Sequence, residues 1–275
     1  MEKIIVYSHS DCLAKDNGPN HPERKERLET VLESVKELDS PDIVIKEAPL
    51  VAHETINLVH PQSHLNNIFS MIPSTGLVAV EKEPYADTFL CEHSKEAILR
   101  SCGAGIAAAD DLINSNEKRI FCAVRPPGHH AETIRVNGFC FVNNVAVSAR
   151  YLQNQYQLGK VAIIDFDVHH GNGTQEIFYR DNSVAYGSIH EYPLFPGTGS
   201  EKETGVGNIF NAPIRSGTSS DEFLNIFEGK ILENIDKFKP EVILLSAGFD
   251  AHKRDPLANI RSEERRVGKE CRSRW

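Results

Sequence analysis

The stretch Val161–Gln175, "VAIIDFDVHHGNGTQ", decides how the chain is read. Its first half is a short apolar run of the kind that forms a strand buried on both faces of a parallel sheet. Its second half sets two aspartates and two histidines within six residues. Burying an unpaired carboxylate costs several kcal/mol, so a group of them at a strand end implies a cation among them. In an extended chain Asp165, Asp167 and His169 share one face, with Phe166 and Val168 on the other. Oxygen and nitrogen donors without thiolates suit Zn²⁺, with Fe²⁺, Mn²⁺ or Co²⁺ as alternatives. A catalytic zinc site with three protein ligands keeps a position open. Asp250, which follows the apolar run "VILLSAGF", is the obvious remaining supplier.

Working outward, short β-branched runs alternate with longer amphipathic ones. Strands are expected at residues 3–7, 42–46, 119–124, 160–166, 183–187 and 241–246, and helices at 22–38, 94–114, 144–155 and 220–238. Ser219 and Glu222 have capping-box spacing at the head of the last helix. This alternation predicts an α/β fold with a mostly parallel central sheet and helices on both faces. No repeat or linker divides the chain, so one domain over residues 1–260 is expected. Ligands of such sheets bind beyond the carboxyl ends of the strands. Three strands lead into chemically loaded loops there: "RPPGHHAETIRVNGFCF", "FDVHHGNGTQ" and "AGFDAHKRDP". The adjacent His129 and His130 suit an acid–base pair beside a metal, with their side chains pointing in different directions. "HHGNG" and "FPGTGS" match no phosphate-binding signature and are read as tight turns. "HPERKERLETVLESV" is read as a charged helix face.

The 275 residues carry a formal net charge of −9. Six of the 30 Lys/Arg and three of the 39 Asp/Glu fall in the last fifteen residues, "RSEERRVGKECRSRW", leaving 24 against 36, a net −12, for the rest. Such an acidic body argues against nucleic-acid binding, which needs clustered cations. The tail has no apolar periodicity and resembles the translation of a sequencing-library adapter. Residues 261–275 are therefore expected to be non-native, with the domain incomplete at its C-terminus. Six cysteines without C-x-x-C spacing indicate neither a disulfide framework nor a zinc ribbon. No run approaches the roughly 18 apolar residues of a membrane span. A cytoplasmic protein without membrane association is expected.

Six motifs in order, "HPERKERL", "RPPGHHAE", "NGFCFVNNVAV", "IIDFDVHHGNGTQ", "SIHEYPLFPGTG" and "SAGFDAHKRDPL", resemble the histone deacetylase superfamily, nearest in style to its class II and bacterial members and the acetylpolyamine amidohydrolases. The resemblance implies an arginase-like three-layer fold and zinc-dependent removal of acetyl groups from acetyl-lysine or acetylpolyamines. By motif, Asp167, His169 and Asp250 would bind one Zn²⁺. His130 would be the general base with Asn172 on its far nitrogen, and His129 would pair with Asp165. Where many relatives carry aspartate, this chain has Asn172, which predicts a less basic His130. Gly138, Phe139 and Phe195 match a narrow substrate channel, and Asp87 matches a rim aspartate that holds the substrate backbone. Asp165, Asp167, His169 and Ser188 resemble a structural K⁺ site. The family pattern continues to a Gly-Gly-Tyr segment that binds the developing oxyanion, and this sequence runs into its tail first. This departure predicts that the 275-residue chain is an impaired or inactive enzyme even where the zinc site forms; a zinc-binding pseudoenzyme or scaffold is the alternative it raises, and another metallohydrolase is a remoter one. A homo-oligomer is compatible with the resemblance.

Overall fold

A computed structural model describes residues 3–81, 86–255 and 257–260. The expected tail lies outside them. The described residues fall into two compact units, divided after Tyr156.

The first unit contains β1 (Ile4–Ser8), α1 (Ser10–Ala14), α2 (Lys25–Glu37), β2 (Ile43–Glu47), α3 (His53–Ile56), α4 (Gln62–Ser70), β3 (Val78–Ala79), β4 (Phe89–Leu90), α5 (Ser94–Asn114), β5 (Arg119–Cys122) and α6 (Asn144–Tyr156). Its main sheet is parallel, in the order β2-β1-β5. The boundaries of α5 are those expected from its period. Its apolar face, with Ile98, Leu99 and Cys102, packs on Ile56, Leu65, Leu90 and Phe141.

The second unit contains β6 (Val161–Asp165), α7 (Asn172–Phe178), β7 (Val184–Glu191), β8 (Ile209–Ile214), α8 (Ser220–Ile226), a π-helical segment (Phe227–Leu232), α9 (Glu233–Phe238) and β9 (Val242–Ser246). The sheet order β8-β7-β6-β9 is parallel throughout and leaves β6 central. Every residue of β6 is buried, as its unbroken apolar run requires. The register sets Asp165 opposite Ser188 on β7 and Ser246 on β9, so β6 and β9 leave the sheet at one level while β7 runs on to Glu191.

Three expectations change here. The helix expected over 220–238 starts as anticipated, with Ser219 accepting from the Glu222 amide, but it widens into the π-helical segment. That segment seats Phe227, Ile231 and Leu232 in the core. "HHGNG" is not simply a turn, since Asn172 begins α7 directly after Gly171. "HPERKERL" is more than a charged face, because Glu23 is 4 % exposed and bound to Arg125. Among the described residues no helix is long and apolar enough to cross a membrane, and the five described cysteines are free.

Candidate metal centre and active site

The strand geometry expected for Asp165, Asp167 and His169 does not hold past Asp165, where β6 ends. The backbone turns instead. The Asp167 amide donates to Asp165 Oδ1 at 3.2 Å, and the His169 amide donates to Asp167 Oδ1 at 2.8 Å. Aspartate favours such local turns because its carboxylate reaches the amide two residues on. Two of these turns in succession bring Asp167 and His169 together without strand alternation.

Asp250 arrives on the loop after β9. Its Oδ1 accepts the Val168 amide at 2.9 Å, and its Oδ2 stands 2.9 Å from His169 Nδ1, which is also 3.0 Å from Asp167 Oδ1. One donor atom from each of Asp167, His169 and Asp250 lies within 4.8 Å of the others. Gly248 makes this approach possible: a Cβ there would sit 2.0 Å from Asp167 Oδ2.

The electrostatics describe a site built for positive charge. Burial disfavours an imidazolium, yet hydrogen bonds to Asp167 and Asp250 outweigh it and raise His169 to about 10. Burial, and then the like charge of Asp167, push the Asp250 carboxyl upward. One nitrogen facing two carboxylate oxygens can give its proton to only one of them. A divalent ion satisfies all three groups at once, so this donor set fits Zn²⁺ or a similar ion.

Asp165 lies fully buried behind the trio and accepts the Tyr186 hydroxyl at 3.1 Å. Tyr186 also receives the Gly171 amide at 3.1 Å, so it braces the turn from below. Neither Tyr186 nor Gly248 was legible beforehand; the tyrosine reads as an ordinary strand residue. The Phe195 ring stands edge-on to His169, with centroids 6.3 Å apart, and is 42 % exposed. Asn172 is buried at the start of α7.

In the first unit His129 and His130 are both buried, with ring centroids 3.9 Å apart. The expectation that neighbouring side chains would diverge is thus corrected: the loop folds so that the rings lie side by side. Gly128 admits the close approach of this loop to α6, because a Cβ there would meet the Asn144 nitrogen at 2.6 Å. Arg125, at the start of the loop, grips Glu23 through Nε (2.5 Å) and Nη2 (2.9 Å) and the Cys12 and Lys15 carbonyls through Nη1. His60 closes the other side, with Nδ1 donating to the Thr133 carbonyl at 3.0 Å and Nε2 accepting the Asn143 amide at 2.9 Å. Gly138 and Phe139 take positive φ values of 49° and 69°.

The histone deacetylase domain profile matches residues 21–273. The chain belongs to the histone deacetylase family.

It is 33 % identical over 263 residues to a probable deacetylase of Archaeoglobus fulgidus, covering 93 % of this chain and 71 % of that protein. It is 34 % identical over 275 residues to the chloroplastic histone deacetylase 10 of Oryza sativa, covering 93 % of this chain but 61 % of that relative, less than two thirds of its length. The HDA15 HD domain crystal structure superposes with a TM-score of 0.91 at 29 % identity, covering 98 % of this chain and 78 % of that one. The expected deacetylase-family α/β fold is therefore the observed one.

Proposed function

We propose that this histone deacetylase family member is a zinc-dependent amidohydrolase that removes acetyl groups from linear N-acetylated amines, whether acetyl-lysine or acetylpolyamine. The observation that carries the reading is the convergence of Asp167, His169 and Asp250 around one point. A Zn²⁺ held there supplies Lewis acidity, which polarises an amide carbonyl and brings the pKa of water towards about 7.

The remaining roles belong to the protein's own groups. His169 and the two aspartates hold the ion, and Asp165 with Tyr186 stiffens the turn that carries them. His130 takes the proton of the attacking water on a ring nitrogen and passes it to the departing amine, with Asn172 as its partner. His129 tunes that exchange together with Asp165. Phe139 and Phe195 line the path of an unbranched acylated chain, beside Gly138, and Asp87 receives the substrate's backbone. The acidic body suits a cationic substrate. The family resemblance also supports a K⁺ around Asp165, Asp167, His169 and Ser188.

Metal analysis and turnover test this reading together. One equivalent of zinc is expected in the folded protein and less than a tenth of that in Asp250→Asn. Deacetylation of an acetyl-lysine peptide and of N-acetylputrescine should vanish with chelator and return with zinc. Two zinc equivalents, or turnover indifferent to chelation, would overturn it.

A further inference from the structure

A chain of contacts in the first unit ties two residues of the proposed substrate path, Asp87 and Phe139, to His21 and Thr88, which lie outside it. The Glu23 amide donates to His21 Nδ1 at 3.0 Å, which leaves the ring proton on Nε2, and Nε2 donates to the Asp87 carbonyl at 2.9 Å. The Thr88 hydroxyl donates to Asp87 Oδ1 at 2.7 Å and accepts the Phe139 amide at 3.0 Å. The His21 ring meets Phe139 edge-on at 4.8 Å and Phe89 at 5.8 Å. Thr88 itself is 1 % exposed.

Phe139 needs such support. Its φ of 69° is left-handed, a conformation in which a bulky side chain is strained and persists only where surroundings over-determine it. A hydroxyl has one proton and two lone pairs, and Thr88 spends the proton on Asp87 while a lone pair receives Phe139. Its branched Cβ restricts χ1 and aims the oxygen.

We propose that Thr88, backed by His21, is a positioning residue that sets substrate selectivity by fixing the Asp87 carboxylate and the Phe139 ring relative to each other through one hydroxyl. The proposal rests on the reading of Asp87 as the rim group and Phe139 as a channel wall. With one carboxylate oxygen bound to Thr88, the other is directed to a backbone N–H beside the acylated side chain. Selectivity for peptides over amides lacking that N–H follows from the orientation of Asp87, and orientation follows from Thr88.

The test compares two ligands on the zinc-loaded full chain. One is a capped acetyl-lysine peptide; the other is the same peptide methylated on the acetyl-lysine backbone nitrogen. Affinity is read by titration calorimetry, or as KM where the peptide is turned over. Thr88→Val should weaken the first peptide about tenfold, the usual scale for losing a hydrogen bond to a charged group, and leave the methylated one within about twofold. Thr88→Ser, which keeps the hydroxyl, should restore the preference. A general loss of structure would weaken both peptides alike and would refute the proposal. Asp87→Asn separates the two readings. If it abolishes the preference while Thr88→Val does not, the rim reading stands and the role of Thr88 falls. If Asp87→Asn leaves both affinities unchanged, the rim reading and the proposal fall together.

Discussion

Gly248 shows how narrowly the candidate metal centre is drawn at the level of single residues. A methyl group there would overlap the Asp167 carboxylate at 2.0 Å, so the ligand or the loop must move. Gly248→Ala should lower zinc affinity at least tenfold in a competition titration against a fluorescent chelator, with the fold retained in circular dichroism. Buried histidines set a second expectation. Burial pushes His60 down to about 4, helped by its neighbour His64, and burial likewise brings His190 to about 4. Both stay neutral in the folded state while the unfolded chain takes up protons near its ordinary value of about 6.5. Their neutral form therefore supports the fold fully above about 6.5, and that support is lost as pH falls towards 4. The loss is about 1.4 kcal/mol per pH unit per group in that window. Urea melts between pH 7 and 4.5 should show the decline, with a shallower slope in His60→Gln. An unchanged slope would assign the acid sensitivity elsewhere.

At the level of elements, the pair Glu23–Arg125 joins the segment before α2 to the loop after β5. Burial opposes the Glu23 charge, but Arg125 and Lys15 outweigh it and hold the carboxyl below its ordinary range. Lys15 answers in the opposite sense: burial lowers it to about 8 although Glu23 works against that. Removing one partner leaves a buried guanidinium uncompensated, which typically costs about 3–5 kcal/mol. Glu23→Ala should therefore show a fall of that order in chemical denaturation. The replacement of both residues by leucine should recover part of it, as buried pairs exchanged for apolar side chains often do.

For the molecule as a whole, the candidate metal centre joins two segments of the second unit that are about 80 residues apart in sequence, the turn after β6 and the loop after β9. An ion that binds only this folded arrangement stabilises it by mass action, by about 2.7 kcal/mol at a concentration 100 times Kd. Zinc should raise the melting temperature of the native chain and leave that of Asp250→Asn unmoved. Equal shifts in both would place the bound ion elsewhere.

Much of this was written in local periodicity. The apolar run of β6, the helical period of α5, the capping of α8 by Ser219 and the placement of Asp167, His169 and Asp250 after strands all follow from residues within a few positions of one another. β8 escaped notice because Asn211 and Pro213 interrupt its apolar pattern, and α7 because two glycines disguise its first turn. The candidate ligand trio was legible as chemistry but not as geometry, since the turn that unites Asp167 and His169 replaces the strand that alternation suggests. What the sequence by itself determined was the identity of the strands' loaded ends and the donor types they carry. Only the tertiary structure decided that Asp250 meets His169, that Gly248 lies against Asp167, and that Glu23 neutralises Arg125. Those meetings depend on sheet order and strand register, which bring together residues tens of positions apart, and no local period encodes such distances.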